Sequence, residues 1–139
     1  MSLIRVLVVD DVECWRLFVS SMLRADPSFE VFETSDGLKA IQAVEKLQPT
    51  VVLLDIGLPG LNGIQAAGWM RRVAPSAKIV FVSMERDPDI VDAARQLGAW
   101  GYVLKSDAAR ELVAAIHSVV RGEKFVSRSL DGHRFIDGE

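Results

Sequence analysis

Along this chain, short apolar runs alternate with stretches whose apolar residues recur at helical spacing, and that alternation leaves few folds open. Val6-Leu7-Val8-Val9 reads as a buried strand, and Trp15, Phe18, Val19, Met22 and Leu23 then form one helical stripe before Pro27 turns the chain. A weaker, half-polar strand over Phe29–Thr34 leads into Leu38, Ile41, Val44 and Leu47 at helical spacing, and Pro49 closes that unit. Val51–Leu54 is the third strand, ended by Asp55 and a turn-rich stretch to Gly63, after which Ile64, Ala67, Met70 and Val73 mark a third helix. Residues 79–82 form the fourth strand; Asp87 and Pro88 are an N-cap and N1 pair for the next helix, with Gly98 at its end. Residues 102–104 form the fifth strand, and Ser106 or Asp107 is the expected cap of a last helix carrying Ala109, Leu112, Val113, Ile116, Val119 and Val120. Five strand–helix units imply a parallel α/β sheet, because neighbours running the same way need a crossover, and crossovers are right-handed. From Ser127 the rhythm fades, so 1–126 is the expected domain and 127–139 a linker or tail.

Composition narrows the function classes. With 139 residues, half of them hydrophobic, the chain can bury the core of one ordinary domain. A net charge of −3 argues against a duplex-DNA surface in this segment. The lone Cys14 excludes an intrachain disulfide and a multi-cysteine zinc site, and it suits a reducing cytoplasm. The first apolar run is too short to span a bilayer and no signal-peptide pattern precedes it, so a soluble cytoplasmic protein is expected.

In a doubly wound sheet, functional groups collect at the carboxyl ends of the strands. Asp10 and Asp11 fall there after the first strand, Asp55 after the third, Ser83 after the fourth and Lys105 after the fifth. Converging carboxylates repel one another unless a cation intervenes, and an all-oxygen donor set suits Mg²⁺ or Mn²⁺ over zinc. A lysine and a hydroxyl opposite the acids complete a set suited to phosphoryl transfer, where positioning and charge neutralisation do most of the catalysis.

Four stretches, in register from about Ile4 to about Phe125, resemble the receiver domains of two-component response regulators: 8–11, 53–63, 82–83 and 98–106. The resemblance implies a flavodoxin-like, three-layer, doubly wound five-stranded sheet of order 2-1-3-4-5. It makes Asp55 the acceptor of a phosphoryl group from a sensor histidine kinase or phosphotransfer protein. Asp11, Asp55 and the Gly57 carbonyl would hold Mg²⁺ or Mn²⁺, with Asp10 acting through a water. Lys105 and Ser83 would contact the phosphoryl oxygens, Tyr102 would follow Ser83 inward, and Gly57 and Glu85 would tune dephosphorylation. This chemistry is self-phosphorylation and its reversal, not turnover of an external substrate. The ending around Lys105-Ser106, Glu111-Leu112 and Arg121-Gly122 is most similar to receivers of helix-turn-helix regulators of the nitrate-response and quorum-sensing type. A DNA-binding domain is therefore expected beyond this segment, together with homodimer formation on phosphorylation.

Other classes fit less well. A flavodoxin-type binding module wants a glycine- and hydroxyl-rich loop after the first strand, where this chain has Asp10-Asp11-Val12-Glu13. An aspartate-nucleophile phosphatase would carry its nucleophile at the first strand, with a cap domain for which there is no length. A receiver-like interaction domain indifferent to phosphate would not need the intact acid, hydroxyl and lysine set. Outside that set, Cys14 reads as a small apolar filler, His117 as a surface or rim residue without an apparent partner, and Trp69 and Trp100 as scattered aromatics.

Overall fold

A computed structural model describes residues 3–130; expectations that fall on Met1, Ser2 and 131–139 lie outside them. The element order is β1 (Ile4–Val9), α1 (Glu13–Arg24), β2 (Phe29–Thr34), α2 (Gly37–Leu47), β3 (Val51–Leu54), α3 (Gly63–Val73), β4 (Lys78–Ser83), α4 (Pro88–Gln96), β5 (Gly101–Leu104), α5 (Ala108–Val120) and β6 (Phe125–Val126). All neighbouring strands are parallel, in the order β2-β1-β3-β4-β5-β6. The five expected strands thus take the implied order, and a sixth lies beside β5.

The pleat divides the strand residues between two cores. Val6, Val8, Val51, Leu53, Val80, Val82 and Val103 pack with Val19 and Leu23 of α1 and Leu112, Ile116 and Val119 of α5. Leu7, Val9, Val52, Leu54, Ile79, Phe81, Tyr102 and Leu104 pack with α2, α3 and α4. Burial on both faces explains why these strands read as unbroken apolar runs. Among the described residues no helix is long and apolar enough to cross a membrane.

Several helix faces differ from the expected stripes, because small residues do the close packing. Ala108 and Ala115 are buried in α5 while Ala109 and Val120 are exposed; Ala40 is buried in α2 while Leu38 faces solvent. Phe18 is exposed on α1, its ring tilted against that of the half-buried Trp15 at 5.4 Å between centroids. Asp87 caps α4 by accepting the Asp89 N–H, and Gly98 follows that helix at φ +88°, both as expected. Asp107 holds the cap position of α5, but its carboxylate turns to Arg110 at 2.7 Å and caps nothing.

β6 escapes the periodicity because it has only two residues. Gly122, at φ +87°, reverses the chain after α5, and the Phe125 and Ser127 amides then donate to the Trp100 and Tyr102 carbonyls. Ser127 is fully buried, and its hydroxyl accepts the Leu104 N–H at 2.8 Å. Leu130 enters the same core as Tyr102, so packing continues past the point at which the tail is expected to begin.

Candidate functional site

Strand register assembles the site. Val9 pairs with Leu54, so the residues immediately beyond them, Asp10 and Asp55, emerge side by side, and the Asp55 amide donates to the Val9 carbonyl. Ser83 pairs with Leu104, which brings Lys105 to the same carboxyl edge. Oxygens of Asp10, Asp11 and Asp55 lie within 4.8 Å of one another. Lys105 Nζ stands between two of the acids, 2.8 Å from Asp10 Oδ2 and 3.7 Å from Asp55 Oδ2. Asp10 and Asp55 are buried and Asp11 is exposed, so the cluster opens to solvent on one side.

The acids outnumber the lysine, and the electrostatics reflect that excess. Burial pushes the Asp55 carboxyl above its ordinary range; Lys105 opposes that shift, and the charges of Asp10 and Asp11 add to it. Three carboxylates that offer oxygen at one point, open to water on one side, fit a hard divalent cation that keeps part of its hydration shell. Asp10 Oδ1 is committed elsewhere, accepting the Val12 N–H at 2.9 Å. The Gly57 N–H donates to Asp55 Oδ1 at 3.3 Å, which puts this glycine beside the carboxylate.

Ser83 is buried at the end of β4, where its hydroxyl accepts the Glu85 N–H at 3.0 Å. Tyr102 is fully buried and donates to the Glu85 carbonyl at 2.8 Å, the inward position that the resemblance reserves for the switched state. Burial pushes its phenol up to about 12, opposed by a hydrogen bond with Ser83. The Glu85 carboxylate accepts the Asp87 N–H at 3.0 Å.

Three contributors were not visible in the sequence. Trp15 of α1 presents its ring to Lys105, with Nζ 5.2 Å from the centroid. Arg16 donates to the Asp10 carbonyl at 2.7 Å and pairs with Glu33, bracing the loop that carries the acids. At the start of α3, any Cβ on Gly63 would run into the Asp55 carbonyl, so only glycine lets this helix approach the site. Asn62 and Gln65 fix the same helix end with a capping box, a pair readable in the sequence from their spacing.

Two side readings need correction. Cys14 is exposed, because it lies on the outer face of α1. His117 does have partners: Asp26 Oδ2 at 3.6 Å and the Phe29 ring at 5.2 Å, both brought to α5 by the turn into β2.

The response regulator receiver domain model matches residues 6–117. The transcriptional regulatory protein LiaR of Bacillus subtilis is 34% identical over 131 residues, covering 94% of this chain and 62% of that protein. The nitrate/nitrite response regulator protein NarL of Escherichia coli is 32% identical over 126 residues, covering 90% of this chain and 58% of its own. A crystal structure of a LuxR-family two-component response regulator from Aurantimonas sp. SI85-9A1 superposes with a TM-score of 0.87 at 30% identity, covering 99% of this chain and 97% of that one. The chain spans about half to three fifths of the length of the curated relatives it matches. With its strand order, its acid cluster and a family match over most of its length, this chain belongs to the response regulator receiver domains.

Proposed function

We propose that the protein is a phosphorylation-controlled switch whose acceptor is Asp55. The observation that carries this reading is the meeting of Asp10, Asp11 and Asp55 within 4.8 Å, with the Lys105 ammonium between Asp10 and Asp55. An Asp55 carboxylate oxygen attacks the phosphorus of a phosphohistidine on a sensor histidine kinase or phosphotransfer protein. The phosphorus–nitrogen bond breaks, the imidazole leaves with the electron pair, and an acyl phosphate remains on Asp55. Asp11, Asp55 and the Gly57 carbonyl would hold Mg²⁺ or Mn²⁺, with Asp10 acting through water. When bound, that ion neutralises charge on the phosphoryl oxygens.

The product brings roughly −1.5 to −2 charge and three acceptor oxygens, which call for new donors. Lys105 is within reach, and the Ser83 hydroxyl swings to donate its O–H to a phosphoryl oxygen, giving up the Glu85 N–H that it accepts at rest. That exchange frees the Glu85 backbone, whose carbonyl holds the Tyr102 hydroxyl, so the loop between β4 and α4 reads the state of Asp55. Gly57 and Glu85 flank the approach of the hydrolytic water and set the lifetime of the acyl phosphate. No external substrate is turned over. Homodimer formation on phosphorylation and DNA binding by a helix-turn-helix domain outside this segment complete the reading, in a cytoplasmic regulator.

Incubation with Mg²⁺ and acetyl phosphate, followed by intact mass, tests it. The expected result is one phosphoryl adduct on the wild type and none on Asp55→Asn. A full adduct on that variant would overturn the assignment of the acceptor.

A further inference from the structure

We infer that Trp15 is a positioning residue for phosphoryl transfer, its indole face holding the Lys105 ammonium where it can serve Asp10 and then the group arriving on Asp55; this rests on the reading of Asp55 as acceptor. Lys105 leaves β5 with a flexible stem, and a lysine ammonium has no preferred plane of approach to fix it. Here it is enclosed: its side chain is 14% exposed, with Asp10 Oδ2 at 2.8 Å, Asp55 Oδ2 at 3.7 Å and the Trp15 centroid at 5.2 Å. The last distance is within the range over which an aromatic quadrupole attracts a cation.

The surroundings of the ring strengthen that attraction. Trp15 packs against the core shared by α1 and α5, and it lines a cavity of only about 10 Å³ with Asp10, Asp55, Val8, Leu53 and Val82. That space holds at most about one water, and the Lys105 side chain is itself only 14% exposed, which limits the screening of the contact.

The ring makes a specific contribution to the reaction. At rest, Asp10 is the nearer partner of Lys105. If carboxylates alone held the ammonium, its transfer toward Asp55 would sacrifice its better contact. A face that attracts the cation whichever oxygen it touches keeps it central, and the remaining displacement is short. The other tryptophans face other cations: Trp69 faces Arg72, and Trp100 carries Lys78 and Lys124 over its ring.

The test compares phosphoryl uptake from acetyl phosphate in a double-mutant cycle. Trp15→Leu keeps apolar bulk without the π face and should slow uptake roughly five- to tenfold; Trp15→Phe, which restores an aromatic face, should recover most of the rate. With Lys105→Met in the background, Trp15→Leu should slow uptake no further. Equal slowing in both backgrounds, with melting curves showing that all variants fold, would mean that the ring acts only as packing, and would overturn the inference. A second readout needs no phosphoryl group. In Trp69→Phe/Trp100→Phe protein, where only Trp15 emits, Lys105→Met should change the emission intensity, and an unchanged spectrum also overturns the inference. A wild-type chain that takes up no phosphoryl group overturns the Asp55 reading and this inference with it, whereas uptake without coupling in the cycle overturns the Trp15 role alone.

Discussion

Replacing Asp55 with asparagine should stabilise the protein in metal-free buffer at neutral pH, by about 1–3 kcal/mol. The Asp55 carboxylate lies 3.7 Å from Lys105 Nζ and within 4.8 Å of an Asp10 oxygen. At an effective dielectric of about 20, the lysine attracts it by about 4.5 kcal/mol and Asp10 repels it by at least about 3.5 kcal/mol. Those two nearly cancel. What remains is the burial of a side chain only 11% exposed, and the repulsion of Asp11, which its exposure to water weakens. Both disfavour charge, in agreement with a carboxyl raised chiefly by burial. Asparagine keeps the shape, can still accept the Gly57 N–H, and leaves the pair of Lys105 and Asp10 intact.

The pH dependence follows from the same shift. A carboxyl raised above its unfolded value binds its proton more tightly in the native state. The penalty is therefore absent below the ordinary value of 3.8 and grows as pH rises through the raised one. The advantage of Asp55→Asn should be full at neutral pH, shrink toward about pH 4, and be offset by saturating Mg²⁺, which stabilises only a chain that binds it. Urea unfolding at both pH values, with and without Mg²⁺, measures all three. With a slope of about 2 kcal/mol/M, the neutral midpoint should rise by about 0.5–1.5 M. A midpoint unchanged or lowered in metal-free neutral buffer, at constant slope, would refute the reasoning.

Asp11→Asn should weaken Mg²⁺ binding about tenfold or more, since it removes one of few direct carboxylates; calorimetric titration that gives wild-type affinity would sink the ligand assignment. Gly63→Ala should cost about 2 kcal/mol in urea unfolding despite the better helix propensity of alanine, because the added Cβ meets the Asp55 carbonyl and stands 2.7 Å from Ile56 Cα. Gly57→Asn and Glu85→Ala should change the decay of phosphorylated protein while leaving Mg²⁺ affinity within about threefold. A Cβ at Gly57 would sit 3.9 Å from Asp55 Oδ2, whereas Glu85 must first release the Asp87 N–H, so Gly57→Asn should have the larger effect; identical decay in both variants and the wild type would remove these positions from the path of the water.

What the sequence made legible is what strand ends determine. Asp10, Asp55 and Lys105 are found by asking where an apolar run stops, and parallel register then brings them to one edge without further information. The two-residue β6 carries no periodic signal, and alanines that pack α5 closely carry little weight beside the larger Val120 that faces water. Glu85 illustrates a second limit. Its carboxylate is captured by a backbone N–H two residues on, a local competition that sequence spacing permits but does not decide.

Trp15 illustrates a third. A half-buried aromatic at the end of a core stripe satisfies the helical pattern whether its ring only packs or also faces a charge. Periodicity identifies the core at that position and is silent about what stands above it. The contact with Lys105 exists because β5, separated from β1 by β3 and β4, delivers its lysine over the start of α1, a fact of topology carried by neither segment alone. Acid and lysine side chains declare their chemistry wherever they stand, so a site built from them is readable before the fold is known. The residues that position them borrow their meaning from the fold, and they become readable only when it is in hand.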